Sequence, residues 1–275
     1  MKTNVFFILL LILSLNSCLD PVEVDLEEAT PRIVIDATLV KPIDQGVQNQ
    51  TITISRTRDF FEDEPQPLEG ASVRVINEQG QEFEFTEIEN PGEYVCFNLF
   101  LEQQTNYFLE IEIDNQFFSA QERLEEGIEI DEVEQSFGSG FSNDEFQVRA
   151  FFTDDGTGNN FYLFKFLTDF LAFPNFTVLD DEFISGNTNS VTFSDEDLVE
   201  GETVLIQLHK ISEGYYNYLQ RLLAQVGAAG GPFQAQPSTV RGNIINESNP
   251  DDFVFGYFSI AEYDEVSITI EPEND

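Results

Sequence analysis

The stretch Gln81-Glu82-Phe83-Glu84-Phe85-Thr86-Glu87-Ile88 decides the fold class. Successive side chains on an extended backbone point to opposite faces, so Phe83 and Phe85 share one side while Glu82, Glu84 and Thr86 share the other. This pattern is that of a sheet with one buried and one wet face. Asn77-Glu78-Gln79-Gly80 on one flank and Asn90-Pro91-Gly92 on the other supply turn formers. Outward from here, β-branched and aromatic runs fall at Arg32–Val40, Thr51–Arg58, Ala71–Asn77, Gly92–Asn98, Asn106–Asp114 and Gln116–Arg123. Together they predict a small antiparallel β-sandwich over residues 31–124.

The second half, residues 125–275, reads as a further β-rich domain with one amphipathic helix. Strands are expected at Ile128–Phe137, Phe146–Thr153, Phe161–Thr168, Thr177–Phe183, Ser190–Phe193, Thr203–Lys210, Phe253–Ile260 and Glu265–Ile270. Tyr215, Tyr218, Leu219, Leu222, Leu223 and Val226 recur on one face of a 3.6-residue repeat, which predicts a helix near 213–226. Ser212 can cap its start and Gly227 can end it. The apolar stripe is expected to pack on a sheet. The Gly/Ala/Pro loop Gly227–Pro237 is long enough to be a functional segment.

Composition bounds the partners. The chain has 275 residues, 52 Asp+Glu and 12 Lys+Arg, for a formal net charge of -40. Disorder does not follow, because 41% of residues are hydrophobic and 28 Phe and 8 Tyr can bury a core. Nucleic acid is excluded as a partner, since phosphate contacts need a basic footprint. Metal cations, basic peptides and uncharged sugars remain.

The N-terminus reads as an export signal. Lys2 precedes an apolar run from Val5 to Leu13, followed by Leu15-Asn16-Ser17-Cys18, which resembles a lipobox. The run is too short to span a bilayer, and the acidic sequence after Cys18 does not extend it. Residues 1–17 are therefore expected to be removed and Cys18 to carry the acyl chains, two or more of which give stable attachment. Residues 18–30 form an acidic tether. Asp20 and Glu23 stand where a surface-export signal would lie.

Little catalytic chemistry is legible. With Cys18 acylated, Cys96 has no disulfide partner and reads as a buried, inert thiol. His209, the chain's one His, sits on a predicted strand as a partly buried polar residue. Asp154-Asp155-Gly156-Thr157-Gly158-Asn159-Asn160 concentrates oxygen donors, and Asp154, Asp155 and Asn159 could approach a calcium ion. A tight hairpin accounts for the same residues. Asp180-Asp181-Glu182 and Asp195-Glu196-Asp197 read as solvated acidic loops. With so many acids, no carboxylate pair for glycoside hydrolysis stands out. Nucleophile elbows, phosphate loops and zinc motifs are absent, so no enzymatic activity and no cofactor are expected.

The order of motifs resembles a Bacteroidota lipoprotein family catalogued as domain of unknown function 4249. After the lipobox come Pro31-Arg32-Ile33-Val34-Ile35-Asp36, Leu68-Glu69-Gly70-Ala71-Ser72-Val73, Pro91-Gly92-Glu93-Tyr94 and Asn106-Tyr107-Phe108-Leu109. The last two together are similar to a prealbumin- or immunoglobulin-like sandwich. Asn160-Phe161-Tyr162, Ile211 to Leu219 and Pro232-Phe233 follow, then Gly242-Asn243-Ile244 and Phe255-Gly256-Tyr257-Phe258-Ser259. Asn243 and Tyr257 read first as a turn residue and a core aromatic, and second as ligand contacts. The resemblance implies an outer-membrane, surface-exposed lipoprotein, a non-enzymatic binding or lid component beside a TonB-dependent transporter. A calcium-binding adhesive surface protein and, further off, a glycan-active enzyme are the alternatives.

Overall fold

Ile33, Ile35, Ala37 and Leu39 are buried on one face of the first strand while Asp36 and its neighbours face outward, the period-two burial expected of a half-buried strand. The computed structural model describes residues 30–58, 66–138, 145–227 and 239–272. The export signal, Cys18, Asp20, Glu23 and Pro232-Phe233 lie outside the described residues. Among the described residues the protein is mainly β with one helix. Its strands are β1 (Ile33–Pro42), β2 (Val47–Arg56), β3 (Gln66–Pro67), β4 (Ser72–Asn77), β5 (Glu82–Glu87), β6 (Glu93–Phe100), β7 (Thr105–Ile113) and β8 (Gln116–Leu124). Then follow β9 (Glu132–Phe137), β10 (Phe146–Thr153), β11 (Phe161–Leu167), β12 (Asn175–Asp180), β13 (Thr188–Ser194), β14 (Thr203–Ile211), helix α1 (Glu213–Gly227), β15 (Ile245–Asn246) and β16 (Phe255–Thr269).

Hydrogen bonding runs through the order β12-β11-β14-β16-β1-β2-β6-β5-β4-β7-β8-β15, with β3 on β2, and a separate sheet β13-β10-β9. The long sheet folds over itself at β5, which pairs with β4 through Val73↔Phe85 and with β6 through Thr86↔Val95. The two arms enclose the first core, where Ile35, Ile54, Val75, Tyr94, Tyr107, Leu109 and Phe118 are inaccessible to solvent. Phe85 is buried there and Glu82, Glu84 and Thr86 are exposed, as the alternation requires. The second core lies between the β11–β14–β16 end of the long sheet and the sheet of β9, β10 and β13. Tyr162, Phe164 and Phe166 fill it with Phe152, Ile206 and Leu208. Each such side chain contributes about 1.5–3 kcal/mol when fully removed from water.

Two strands expected at 253–260 and 265–270 are one. β16 pairs in parallel with β1 from Val34↔Phe255 to Pro42↔Tyr263 and antiparallel with β14 from Lys210↔Glu262 to Thr203↔Thr269. It thus runs from the first core to the second. Ile244, Val254, Phe258 and Ile260, from the half expected to form its own domain, pack in the first core, and Pro31–Asp275 is one compact unit. β3 and β15, two residues each, are too short to carry a periodic signal.

Ser212 caps α1: its Oγ accepts from Tyr215 N–H at 3.2 Å. Tyr216 and Leu219 pack with Leu163, Ile211 and Ala261, on the side of the sheet away from the second core. Among the described residues no helix is long and apolar enough to cross a membrane.

Candidate functional site

The turn between β10 and β11 is built around Asp154. Its Oδ1 accepts from Gly156 N–H at 2.8 Å and Gly186 N–H at 2.7 Å, and its Oδ2 from Asn160 Nδ2 at 3.0 Å and from the Tyr162 hydroxyl. Burial opposes the charge on Asp154, but these donors together outweigh it and hold the carboxyl below its ordinary value. Gly156 and Gly158 take positive φ in the turn (68° and 73°). Asp155 Oδ1 accepts from Thr157 N–H and Oγ1, each at 2.7 Å, and its Oδ2 from Lys210 Nζ at 3.0 Å. Burial again opposes and hydrogen bonds prevail, so Asp155 is held well below the usual carboxylate range. Of the three residues read as calcium candidates, Asp154 and Asp155 thus turn their oxygens toward protein N–H and O–H donors. Asn159 is exposed beside them.

This turn forms one wall of a cleft of about 550 Å³ where the two cores meet. Gln104, Arg123, Glu125 and Glu126 line the side of the first core; Asp155, Asn159, Phe161, Lys210 and the first residues of α1 line the other. Both cations in it are engaged. Arg123 Nε donates to Glu125 at 2.9 Å and its Nη2 to Gln104 Oε1 at 3.0 Å, while Lys210 holds Asp155. The cleft wall is fixed from beneath, because Ser212 Oγ donates to Glu122 Oε2 at 2.9 Å, tying the helix cap to β8. Burial pushes the Glu122 carboxyl up. A larger groove of about 690 Å³ crosses the outer face of β4, β7 and β8 over Ile76, Phe108 and Ile245. Its amides are occupied: Asn243 bonds Phe258 O at 2.8 Å and Phe258 N–H at 2.9 Å, and Asn77 Oδ1 accepts from Gln79 and Gln81 N–H. The junction cleft, lined mainly by polar and charged side chains contributed by both cores, is the stronger site for a polar ligand.

A third feature was not legible in the sequence. The face of the β11–β14–β16–β1 sheet beside α1 carries Asp36, Thr38, Lys165, His209, Ser259 and Tyr263. Tyr215, Tyr218 and Tyr257 gather at 4.9–6.2 Å between ring centroids at its helix end. His209, expected to be partly buried, is only 2% exposed, with its ring stacked on Tyr263 at 5.0 Å. Burial, reinforced by Lys165, lowers its pKa well below the ordinary value, so the imidazole is neutral. Tyr257 is buried, a core aromatic as first read.

The remaining sequence candidates are structural. Cys96 is buried on β6, where desolvation raises its pKa and leaves it a thiol. Asp181, expected in a solvated loop, is 6% exposed, and its Oδ2 has no hydrogen-bond partner among the described residues. Its backbone carries the turn: Asp181 N–H bonds Asn160 O, and its carbonyl accepts from Ile184 and Ser185. Among the described residues no group of three His, Cys, Asp or Glu is placed to hold a metal ion.

The geometry is that of a two-core β-protein with a polar cleft where the cores meet. A family model described as Domain of unknown function (DUF4249) matches residues 19–267, and the chain belongs to that family. No curated protein matches it. Among solved structures it is similar to a DUF4785 family protein from Legionella pneumophila, at 13% identity and a TM-score of 0.26, over 65% of this chain and 52% of that one. The chain thus spans about half the length of that protein. A two-domain fibronectin type III segment of chicken tenascin matches at 10% identity and a TM-score of 0.21, over 66% of this chain and 91% of that one. The FN1–FN3 domains of chicken CNTN1 match at 12% identity and a TM-score of 0.22, over 61% and 59%.

Proposed function

We propose that this protein is a lipid-anchored, surface-exposed outer-membrane binding protein that holds a ligand in the junction cleft for a TonB-dependent transporter and does not transform it. The observation that carries the reading is the state of the cleft's charges. Arg123 is held by Glu125 and Gln104, and Lys210 and Asp155 hold each other, so the lining presents polar groups already fixed by hydrogen bonds around Phe161. Such a wall recognises a ligand. Cys18 and the acidic tether supply the anchor and its reach, which concentrates the cleft beside a barrel in the same membrane. The transporter comes from the family resemblance, an association of lineage.

Crosslinking the native lipoprotein in intact cells, followed by purification, tests this. A TonB-dependent receptor recovered with wild type and lost with Cys18→Ala supports the reading. Recovery of the lipoprotein alone overturns the partnership.

A further inference from the structure

The chain has four lysines, of which Lys2 belongs to the export signal. Lys41 is paired with Glu262 and Lys210 with Asp155. Lys165 differs: among the described residues no carboxylate lies within 4.0 Å of it, in a protein with 52 acids. It stands in the middle of a four-strand row, opposite Phe176 on β12 and Gln207 on β14, with Gln207 in turn opposite Glu265 on β16. His209 and Tyr263 occupy the next row on the same face.

The neighbours of Lys165 are already committed. Gln207 Nε2 donates to Glu265 Oε2 at 2.6 Å, and its Oε1 lies 3.3 Å from His209 Nε2. Burial lowers the pKa of Lys165, and Asp36 on β1 raises it in part. Asp36 also acts on Tyr215 and Tyr218 at the helix end of the same sheet face. A partly buried ammonium with no ion pair is expensive, and such groups concentrate where a ligand supplies the missing contact.

We infer that Lys165 is the anion-recognition group of a second binding site, on the sheet face beside α1, that takes a monocarboxylate with an apolar body. One uncommitted donor matches one negative charge. A dianion would face Asp36, Glu265 and the protein's own charge of -40 with a single cation to offset them. Phe176, 37% exposed, and the ring of Tyr263 offer apolar surface for the rest of the ligand. This site is separate from the junction cleft and stands whether or not a transporter is the partner.

Ligand-observed fluorine NMR on the full processed lipoprotein in detergent tests the inference, with 4-fluorobenzoate as probe and 4-fluorobenzamide as its uncharged match. Saturable binding of the benzoate is expected, tightening as salt screens the protein's negative field. Lys165→Met should weaken it by about tenfold or more, while Arg221→Met, on the exposed face of α1, should not. Circular dichroism confirms that each variant is folded. No saturable binding of the benzoate, equal binding of the benzamide, or undiminished binding to folded Lys165→Met overturns the inference.

Discussion

Lys41 on β1 and Glu262 on β16 form a buried ion pair between residues 221 positions apart in sequence. Glu262 is fully buried and also accepts from Gln103 Nε2 at 2.7 Å and Gly127 N–H at 2.9 Å. It therefore joins the first core, the crossing at Gly127 and the strand that continues into the second core. A Cβ at Gly127 would lie 2.8 Å from the Glu262 Cβ, so glycine there lets the amide approach.

Removing one partner leaves a buried charge unpaired. Glu262→Ala should cost about 3–5 kcal/mol in urea unfolding. Replacing both residues with apolar ones should cost far less than the single change, because no orphan charge remains. Equal costs for the single and double variants would contradict the pairing.

Asp154 is expected to behave as a hub. Tyr162→Phe removes one of its four donors and should cost about 1.5–3 kcal/mol, the worth of a hydrogen bond to a charged group. Asp154→Ala strands all four donors and should cost more. Chemical denaturation of both variants, with the slope compared to wild type, checks the order.

Acid stability should fall in two stages. His209 has a folded pKa well below its ordinary 6.5, so the unfolded chain takes up a proton first and stability declines as pH drops through 6.5. Asp154 and Asp155 have folded pKa values below 3.8, so their contribution is present above that value and is lost as pH falls below it. His209→Phe should flatten the upper stage and leave the lower one. Melting temperatures across a pH series measure both.

Gly256 at the start of β16 has φ of 97°, and a Cβ there would lie 1.9 Å from the Ile35 carbonyl oxygen. Gly242 passes close by, its own Cβ position 1.8 Å from Gly256 O. Either Gly→Ala change forces backbone apart, and Gly256→Ala adds left-handed strain of about 1–3 kcal/mol. Both variants should fold poorly or melt far below wild type.

These contacts explain which parts of the fold the sequence made legible. Alternation placed the strands of the first core because each has one wet face. In sequence β16 reads as two strands, because Glu262 and Asp264 interrupt its apolar pattern. Glu262 is buried only through Lys41, Gln103 and Gly127, and Asp264 Oδ2 accepts from Ile130 N–H at 2.7 Å; no local window holds those partners. Lys165 escaped for the same reason, and His209, expected on a strand and partly buried, is buried further, since their burial depends on strands and a helix brought together from across the chain. Among the described residues, several motifs that carry the family resemblance brace one another. Tyr94 donates to Leu68 O and accepts from Ala71 N–H, each at 2.9 Å, joining two of those motifs, and Asn243 clamps Phe258. They record how the frame is held, while the cleft residues Gln104, Arg123 and Glu126 carried no pattern at all.

The anchor at Cys18 supports everything proposed about where this frame works. Mass spectrometry of the N-terminal peptide from the native protein measures it directly. The expected result is a chain that begins at Cys18 with acyl groups on its sulfur and amine; a peptide beginning at Met1, or a free thiol at Cys18, would contradict the account.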